Sequence, residues 1–453
     1  MKKMTHFKTL ALIMILSIPL YASLQLSTIQ GVSSDENWPM FQHDPAHTGQ
    51  SSTVLSSNLK SKWNYSQLTG QYIQGVAVDN EYLYFTVQEP QANMIYALNT
   101  TTGELIWSNS SAVKNDGSIK SPTVVPTVAE GIVYTASDAY NATTGQLLFN
   151  YSSYGGSTSP VYSNGKIYLG SNYKMMTSPS GIIALNAKTG SKIWNFTTKK
   201  SFYLFGGMLY FPPAVADGVV YFFSVDGAYA LNAKTGIQIW HNSAISNEHG
   251  SFSLVSVANG QVYINVLGLL YCLKASSGSV LWTFATGAGD VCPAVADGYV
   301  YAGPYALNAS TGKMVWNNSL MWTLSSPAVS NGIVYYTNCN RTGTVKSPYT
   351  LELLGYNASS GEKILQYQLP GEYLSEGSTA PAIAEGKLYI ASKWPSALRR
   401  EAIFAFEESD LTRSLPVDYG SIVLAIIIGS LAVAVILTTT VIIFKDKQSR
   451  NPH

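Results

Sequence analysis

The sequence predicts an all-β protein: an eight-bladed β-propeller of four-stranded antiparallel blades, with an N-terminal signal segment and one C-terminal transmembrane helix. Three observations predict it. One phrase recurs along the chain, a second phrase alternates with it, and the two ends of the array are complementary fragments of a single unit. The first phrase runs Ala184-Leu-Asn-Ala-Lys-Thr-Gly-Ser-Lys-Ile-Trp194, returns at Ala230 to Trp240 and at Ala306 to Trp316, and has looser copies beginning at Ala97, Ala139, Cys272 and Gly355. Successive copies start 34 to 49 residues apart, about one four-stranded propeller blade. The second phrase is clearest at Pro213-Ala-Val-Ala-Asp-Gly-Val-Val-Tyr221 and Pro293 to Tyr301, with further copies ending at Tyr84, Tyr134, Tyr168, Tyr263, Tyr335 and Tyr389, eight in all.

Each second phrase is two short apolar β-branched runs split by Asp-Gly, Asn-Gly or Glu-Gly, the chemistry of a tight hairpin turn at positive φ. Each first phrase is an alternating strand, a turn of the Lys-Thr-Gly type, and a strand ending in Trp. One of each makes four strands, with no helical period. The last unit has its inner strands near Pro381 to Tyr389 and a third at Phe404-Ala-Phe406, but no Trp-bearing fourth strand. Lys62-Trp63-Asn64-Tyr65 is the reverse, a fourth strand with no blade before it. Joined, they complete the eighth blade and remove the open sheet edges that a linear stack would leave. The recurring Trp and Tyr are expected to pack between neighbouring blades.

Residues 1–22 read as a signal peptide, cleaved or retained: Lys2, Lys3 and Lys8 precede an apolar run from Leu10 to Leu20, with the small residues Ala22 and Ser23 after it. Residues 23–60 are an N-terminal strap, 61–411 the propeller, and 412–420 a juxtamembrane linker. Residues 421–444 are a transmembrane helix: Ile422 to Phe444 is an uncharged stretch long enough to span a bilayer. Lys445, Lys447 and Arg450 follow, so the tail, 445–453, is expected in the cytoplasm and the propeller outside, at the cell membrane. The net charge of +1 with 12% charged residues lacks the basic surface that nucleic acid requires. Ten Asn-X-Ser/Thr sequons, at Asn64, Asn99, Asn109, Asn141, Asn150, Asn195, Asn308, Asn317, Asn340 and Asn357, are candidate glycosylation sites expected to be solvent-exposed. Four of them, Asn99, Asn141, Asn308 and Asn357, recur at the turn after the third strand.

The three cysteines Cys272, Cys292 and Cys339 are far apart and read as isolated buried thiols, with Cys339 in a loop. His43-Asp44-Pro45-Ala46-His47 offers two imidazoles and a carboxylate, but Pro45 interrupts any helix that would align them, so a structural strap is expected rather than a metal site. His241, Glu248 and His249 read as a solvated loop. The connections after the first and third strands are short and share one face, while those after the second and fourth are long and variable and share the other. Trp322, Arg341, Lys346, Trp394, Arg399 and Arg400, in those long loops, are the candidate partner-contact residues.

The alternation of Ala-Val-Ala-Asp-Gly-X-Val-Tyr with Ala-Leu-Asn-Ala-Lys-Thr-Gly-X-X-X-Trp over about residues 61 to 411 resembles the pyrroloquinoline-quinone-like repeat family. That family builds the eight-bladed propellers of quinoprotein alcohol dehydrogenases and of the assembly lipoprotein BamB. Trp38-Pro-Met-Phe-Gln-His-Asp-Pro-Ala-His-Thr-Gly49 resembles the strap ahead of the propeller in non-catalytic members. The catalytic members hold quinone and calcium in the central funnel, usually against a disulfide between adjacent cysteines. No such pair exists here, nor a Cys-X-X-Cys-His. The resemblance therefore implies a membrane-anchored, extracytoplasmic propeller that binds or scaffolds an envelope protein or glycan, without catalytic residues, cofactor or metal. The alternative is a membrane-anchored quinone-dependent oxidoreductase using pyrroloquinoline quinone with calcium.

Overall fold

The computed structural model describes residues 37–68, 73–88, 92–114, 124–156, 158–171, 181–199, 212–246, 253–287, 291–318, 325–341, 349–370, 379–392 and 403–409. Eight sheets of at least four strands each are found there. The innermost strands begin at Ala77, Thr127, Val161, Ala214, Val255, Ala294, Ala328 and Ala382, and each neighbours the next around a ring that closes between the eighth and the first. No helix among the described residues is long and apolar enough to cross a membrane, and the expected signal and transmembrane segments lie outside those residues.

The fourth blade shows how the two phrases make a sheet. Ala214–Ala216 and Val219–Ser224 pair antiparallel across Asp217 and Gly218, whose φ of 50 and 74° are the left-handed pair that a two-residue hairpin needs. Gly227–Asn232 returns beside the second strand, and Gln238–Asn242 forms the outer edge. Between them the Asn232 Oδ1 accepts from the backbone N–H of Lys234 and Thr235, both at 3.0 Å, so the asparagine side chain shapes its own turn. The Ala233 N–H reaches the Gly218 carbonyl at 2.8 Å, lacing the blade's two short turns together on one face.

A one-residue bulge follows each of these turns. Ala230 faces Trp240, but Leu231 faces Gln238, so Ile239 is skipped. The bulge turns the Trp toward the next blade and leaves the residue before it in solvent, which explains the exposed Ile193, Ile239, Leu281 and Val315. Trp194 lies flat against the turn of the following blade, donating its indole N–H to the Ala233 carbonyl at 3.1 Å, and Tyr168 donates to the same oxygen at 3.0 Å. A Cβ on Gly236 would sit 2.6 Å from Trp194 Cδ2, so that turn position needs glycine both for its φ of 73° and for room. Trp107, Trp240, Trp282 and Trp316 repeat this joint, and Phe149 stands in for Trp against Gly190.

Closure follows the expected route. Leu59–Tyr65 pairs antiparallel with Ile403–Glu408, with the same bulge just before Trp63. Trp63 then makes the standard joint with the first blade, packing on Gly103 and donating to the Thr100 carbonyl at 3.1 Å. Because the eighth blade has no continuous third-to-fourth turn, Tyr335 of the seventh donates instead to the carbonyls of Leu55 and Ser56 at 3.2 and 3.1 Å. Lys62 pairs with Glu407 along the closing strand.

Two expectations are corrected. Cys339 lies within a strand, Ile333–Arg341, not in a loop, because the second and third strands of the seventh blade are extended and pair out to Arg341 with Tyr349. The sequon asparagines at the third-strand turns are half-buried rather than fully exposed, because their side chains fold back into the turn.

Candidate functional site

Each innermost strand has one edge paired within its blade and one edge facing the propeller axis, and the middle residue turns its N–H and C=O toward that axis. These groups need partners. The segment from Trp38 to Ser51 supplies them. Trp38 exchanges two backbone bonds with Val78, at 3.0 and 2.8 Å. The carbonyls of Pro39, Pro45, Ala46, Thr48 and Gly49 then accept, in chain order, from the N–H groups of Val128, Val215, Val257, Val295 and Val329, at 2.6 to 2.8 Å. Those valines belong to the second, fourth, fifth, sixth and seventh blades. Met40 covers the third, packed with Val161 and Val215. Gln50–Ser51 finishes the circuit as a short strand parallel to Ala328–Ser330. The segment expected as a strap is thus a plug wound once around the inside of the ring.

The plug's own sequence accounts for its shape. Pro39 and Pro45 offer a carbonyl and no N–H, which suits the two positions, where only the carbonyl is used. Gln42, His43 and His47 take φ of 53, 75 and 59°, curling the chain so that the Gly49 N–H meets the Gln42 carbonyl at 3.1 Å. Asp44 accepts from the Thr48 N–H and hydroxyl. Burial opposes its charge, but hydrogen bonds from His43 and Thr48 outweigh that and hold its carboxyl below the usual range.

His47 is fully buried, with Nδ1 donating to the Val255 carbonyl at 3.0 Å. Cys292 lies beside the same carbonyl, with its sulfur 3.2 Å from the Ser256 hydroxyl. Burial pushes the imidazole down to about 4 and the thiol up to about 12, favouring the neutral form of both. No group of three His, Cys, Asp or Glu residues among the described residues could hold a metal ion, and the three cysteines are separate and buried. The described part of the axis is lined by plug backbone and valines.

His241, expected in a solvated loop, lies instead within the outer strand Gln238–Asn242, paired opposite Tyr229. Its ring stacks on Tyr229 with centroids 4.0 Å apart and its Nε2 reaches the Asp226 carbonyl at 2.8 Å, while Tyr229 donates to Asp226 Oδ2 at 2.6 Å. Glu248 and His249 lie outside the described residues. Of the candidate contact residues, Trp322, Lys346, Trp394, Arg399 and Arg400 also lie outside them, and Arg341 ends the second strand of the seventh blade. The plug was missed in the sequence because it acts through carbonyls, which every residue has. The available signal was the eight inner strands themselves, whose axis-facing N–H groups required acceptors.

Comparison with known proteins agrees with this architecture. The family model described as outer membrane protein assembly factor BamB matches residues 60–284, 224–304 and 268–410. A tetrathionate hydrolase from Acidithiobacillus ferrooxidans is 27% identical over 217 residues, a stretch covering 39% of this chain and only 40% of that relative. Among solved structures, a quinohemoprotein alcohol dehydrogenase from Comamonas testosteroni superposes with a TM-score of 0.66 at 14% identity, covering 83% of this chain and 81% of that one. BamB from Moraxella catarrhalis superposes with a TM-score of 0.50 at 15% identity, covering 77% of this chain and 97% of its own. At such identities the structural likeness speaks for the fold alone. With the aromatic joint at seven of the blade seams and a family match running from residue 60 to residue 410, the chain belongs to the BamB family of pyrroloquinoline-quinone-like repeat propellers.

Proposed function

We propose that this chain is a non-catalytic binding propeller, anchored to the cell membrane by its C-terminal segment, that holds a protein or glycan partner at the cell envelope through its long-loop face. The observation that carries this reading is the plug: the axial position where a dehydrogenase of this architecture would need a funnel is occupied by the chain's own residues 38–51, bonded to the inner strands of six blades. A propeller closed at its axis retains its two faces for recognition. One face is uniform, built of short turns laced to each other; the other carries the variable connections, where binding residues concentrate on rigid scaffolds. Membership of a family described by an assembly factor favours protein as the partner class.

The test places a photo-crosslinking residue at Trp322, Arg341 or Trp394 in the full chain in its own cells, with Lys234 on the short-turn face as the control. The long-loop positions should yield a discrete adduct and Lys234 none. In parallel, purified chain given pyrroloquinoline quinone and calcium should reduce no artificial acceptor with alcohols or sugars. Robust substrate-dependent turnover, or adducts only from Lys234, would overturn the reading.

A further inference from the structure

Six of the sequons divide by whether the fold engages the asparagine amide nitrogen. At Asn99, Asn141, Asn308 and Asn357 the oxygen accepts. Asn99 Oδ1 accepts from the N–H of Thr101 and Thr102, both at 2.9 Å, and Asn141 Oδ1 from Thr143 and Thr144 at 3.1 and 2.9 Å. Asn357 Oδ1 accepts from Ser359 and Ser360, both at 3.0 Å, and from the Ser359 hydroxyl at 2.8 Å. Asn308 Oδ1 takes the Thr311 N–H at 3.0 Å and the Ser310 hydroxyl at 2.8 Å. Holding Oδ1 against the turn aims Nδ2, the atom that accepts a glycan, away from it, beside exposed hydroxyl residues. At Asn109 and Asn150 the oxygen also accepts, from the Ser110 N–H at 2.8 Å and from the Ser152 N–H and hydroxyl at 3.1 and 2.6 Å, but the nitrogen is held too. Asn109 Nδ2 donates to the Gly145 carbonyl at 2.9 Å, and Asn150 Nδ2 donates to the buried carboxylate of Asp138 at 2.6 Å.

We infer that Asn99, Asn141, Asn308 and Asn357 are glycan acceptors through Nδ2, and that Asn109 and Asn150 are not. The four acceptors belong to the first, second, sixth and seventh blades. The third and fourth blades have the same turn with Lys188 and Lys234 where the hydroxyl would stand, and the fifth has Lys274 in place of the asparagine. Glycans would then clothe the short-turn face from the sixth blade round to the second and leave the turns of the third to fifth blades bare.

The inference rests on export of the propeller and is independent of the partner. The test is site-resolved mass spectrometry on full-length chain purified from the cells that make it, beside a Lys234→Thr variant that completes a sequon at Asn232. Sugar adducts are expected at Asn99, Asn141, Asn308 and Asn357, with a new one at Asn232 in the variant and none at Asn109 or Asn150. Adducts at Asn109 or Asn150 comparable with those at the turns would overturn it, as would unmodified turn asparagines in a chain that external protease can reach. If protease added to intact cells cannot reach the propeller, export fails, and this inference falls with it.

Discussion

Replacing Trp194 with alanine tests the joint that recurs at seven of the blade seams. Trp194 is 8% exposed, lies on the Gly236 turn, and has its ring centroid 5.9 Å from that of Tyr168. Truncating a buried Trp costs about 3–5 kcal/mol. The lost hydrogen bond adds little, since the Ala233 carbonyl keeps its 3.0 Å bond from Tyr168 and is not orphaned. A propeller of this size has a urea slope of about 3 kcal/mol per molar, so the midpoint should fall by about 1 to 1.7 M. Trp194→Phe is the informative partner, because the second blade already uses Phe149 against Gly190. It should cost about 1 kcal/mol, and the assay is urea unfolding of the purified chain followed by far-ultraviolet circular dichroism. If Trp194→Ala left the midpoint within 0.2 M (about 0.6 kcal/mol at that slope) of the parent, or if Phe cost as much as Ala, the joint would not be the source of inter-blade stability.

Acid should weaken the fold through His47. Its folded value of about 4 lies below the ordinary 6.5, so between those pH values the unfolded chain binds a proton that the folded chain refuses; its contribution is full above pH 6.5 and is lost as pH falls toward 4, about 3 kcal/mol in all. In His47→Asn, unfolding free energies measured from pH 7 to 4 should lose that slope. Deleting residues 23 to 66 removes the closing strand Leu59–Tyr65 and bares the edge of Ile403–Glu408, so light scattering should report aggregation where the full chain stays monomeric. A monomeric truncation with an unchanged unfolding midpoint would refute closure. Protease added to intact cells should digest the propeller and spare a tag placed after His453, and the reverse pattern would contradict the proposed orientation.

The fold was legible because its devices are side-chain chemistry at fixed offsets. Asp-Gly and Asn-Gly supply the left-handed pairs such as Asp217 and Gly218, Asn232 builds its own turn, and Gly236 leaves room for Trp194. Closure was legible for the same reason, since Trp63 needs a turn glycine and finds it at Gly103. The plug was not legible, because Pro39, Pro45, Ala46, Thr48 and Gly49 act through backbone oxygen. Cys339 was misplaced because a polar run, Asn338 to Arg341, is carried as strand by its partner Tyr349–Asn357 rather than by its own propensity. The choice among sequons depended on whether the amide nitrogen is engaged, as it is at Asn150, which the three-residue motif does not encode.

The closed axis is tested most directly by amide hydrogen exchange at the residues that face it. Val78, Val128, Val215, Val257, Val295 and Val329 should exchange as slowly as the second strands beside them, because their N–H groups are held by the plug. Replacing residues 38–50 with a glycine–serine linker of equal length should release those six amides together while the outer strands remain protected. If the six amides of the unaltered chain exchange rapidly while their blades stay folded, residues 38–51 do not fill the axis, and the case for a binding propeller over a cofactor-bearing one fails.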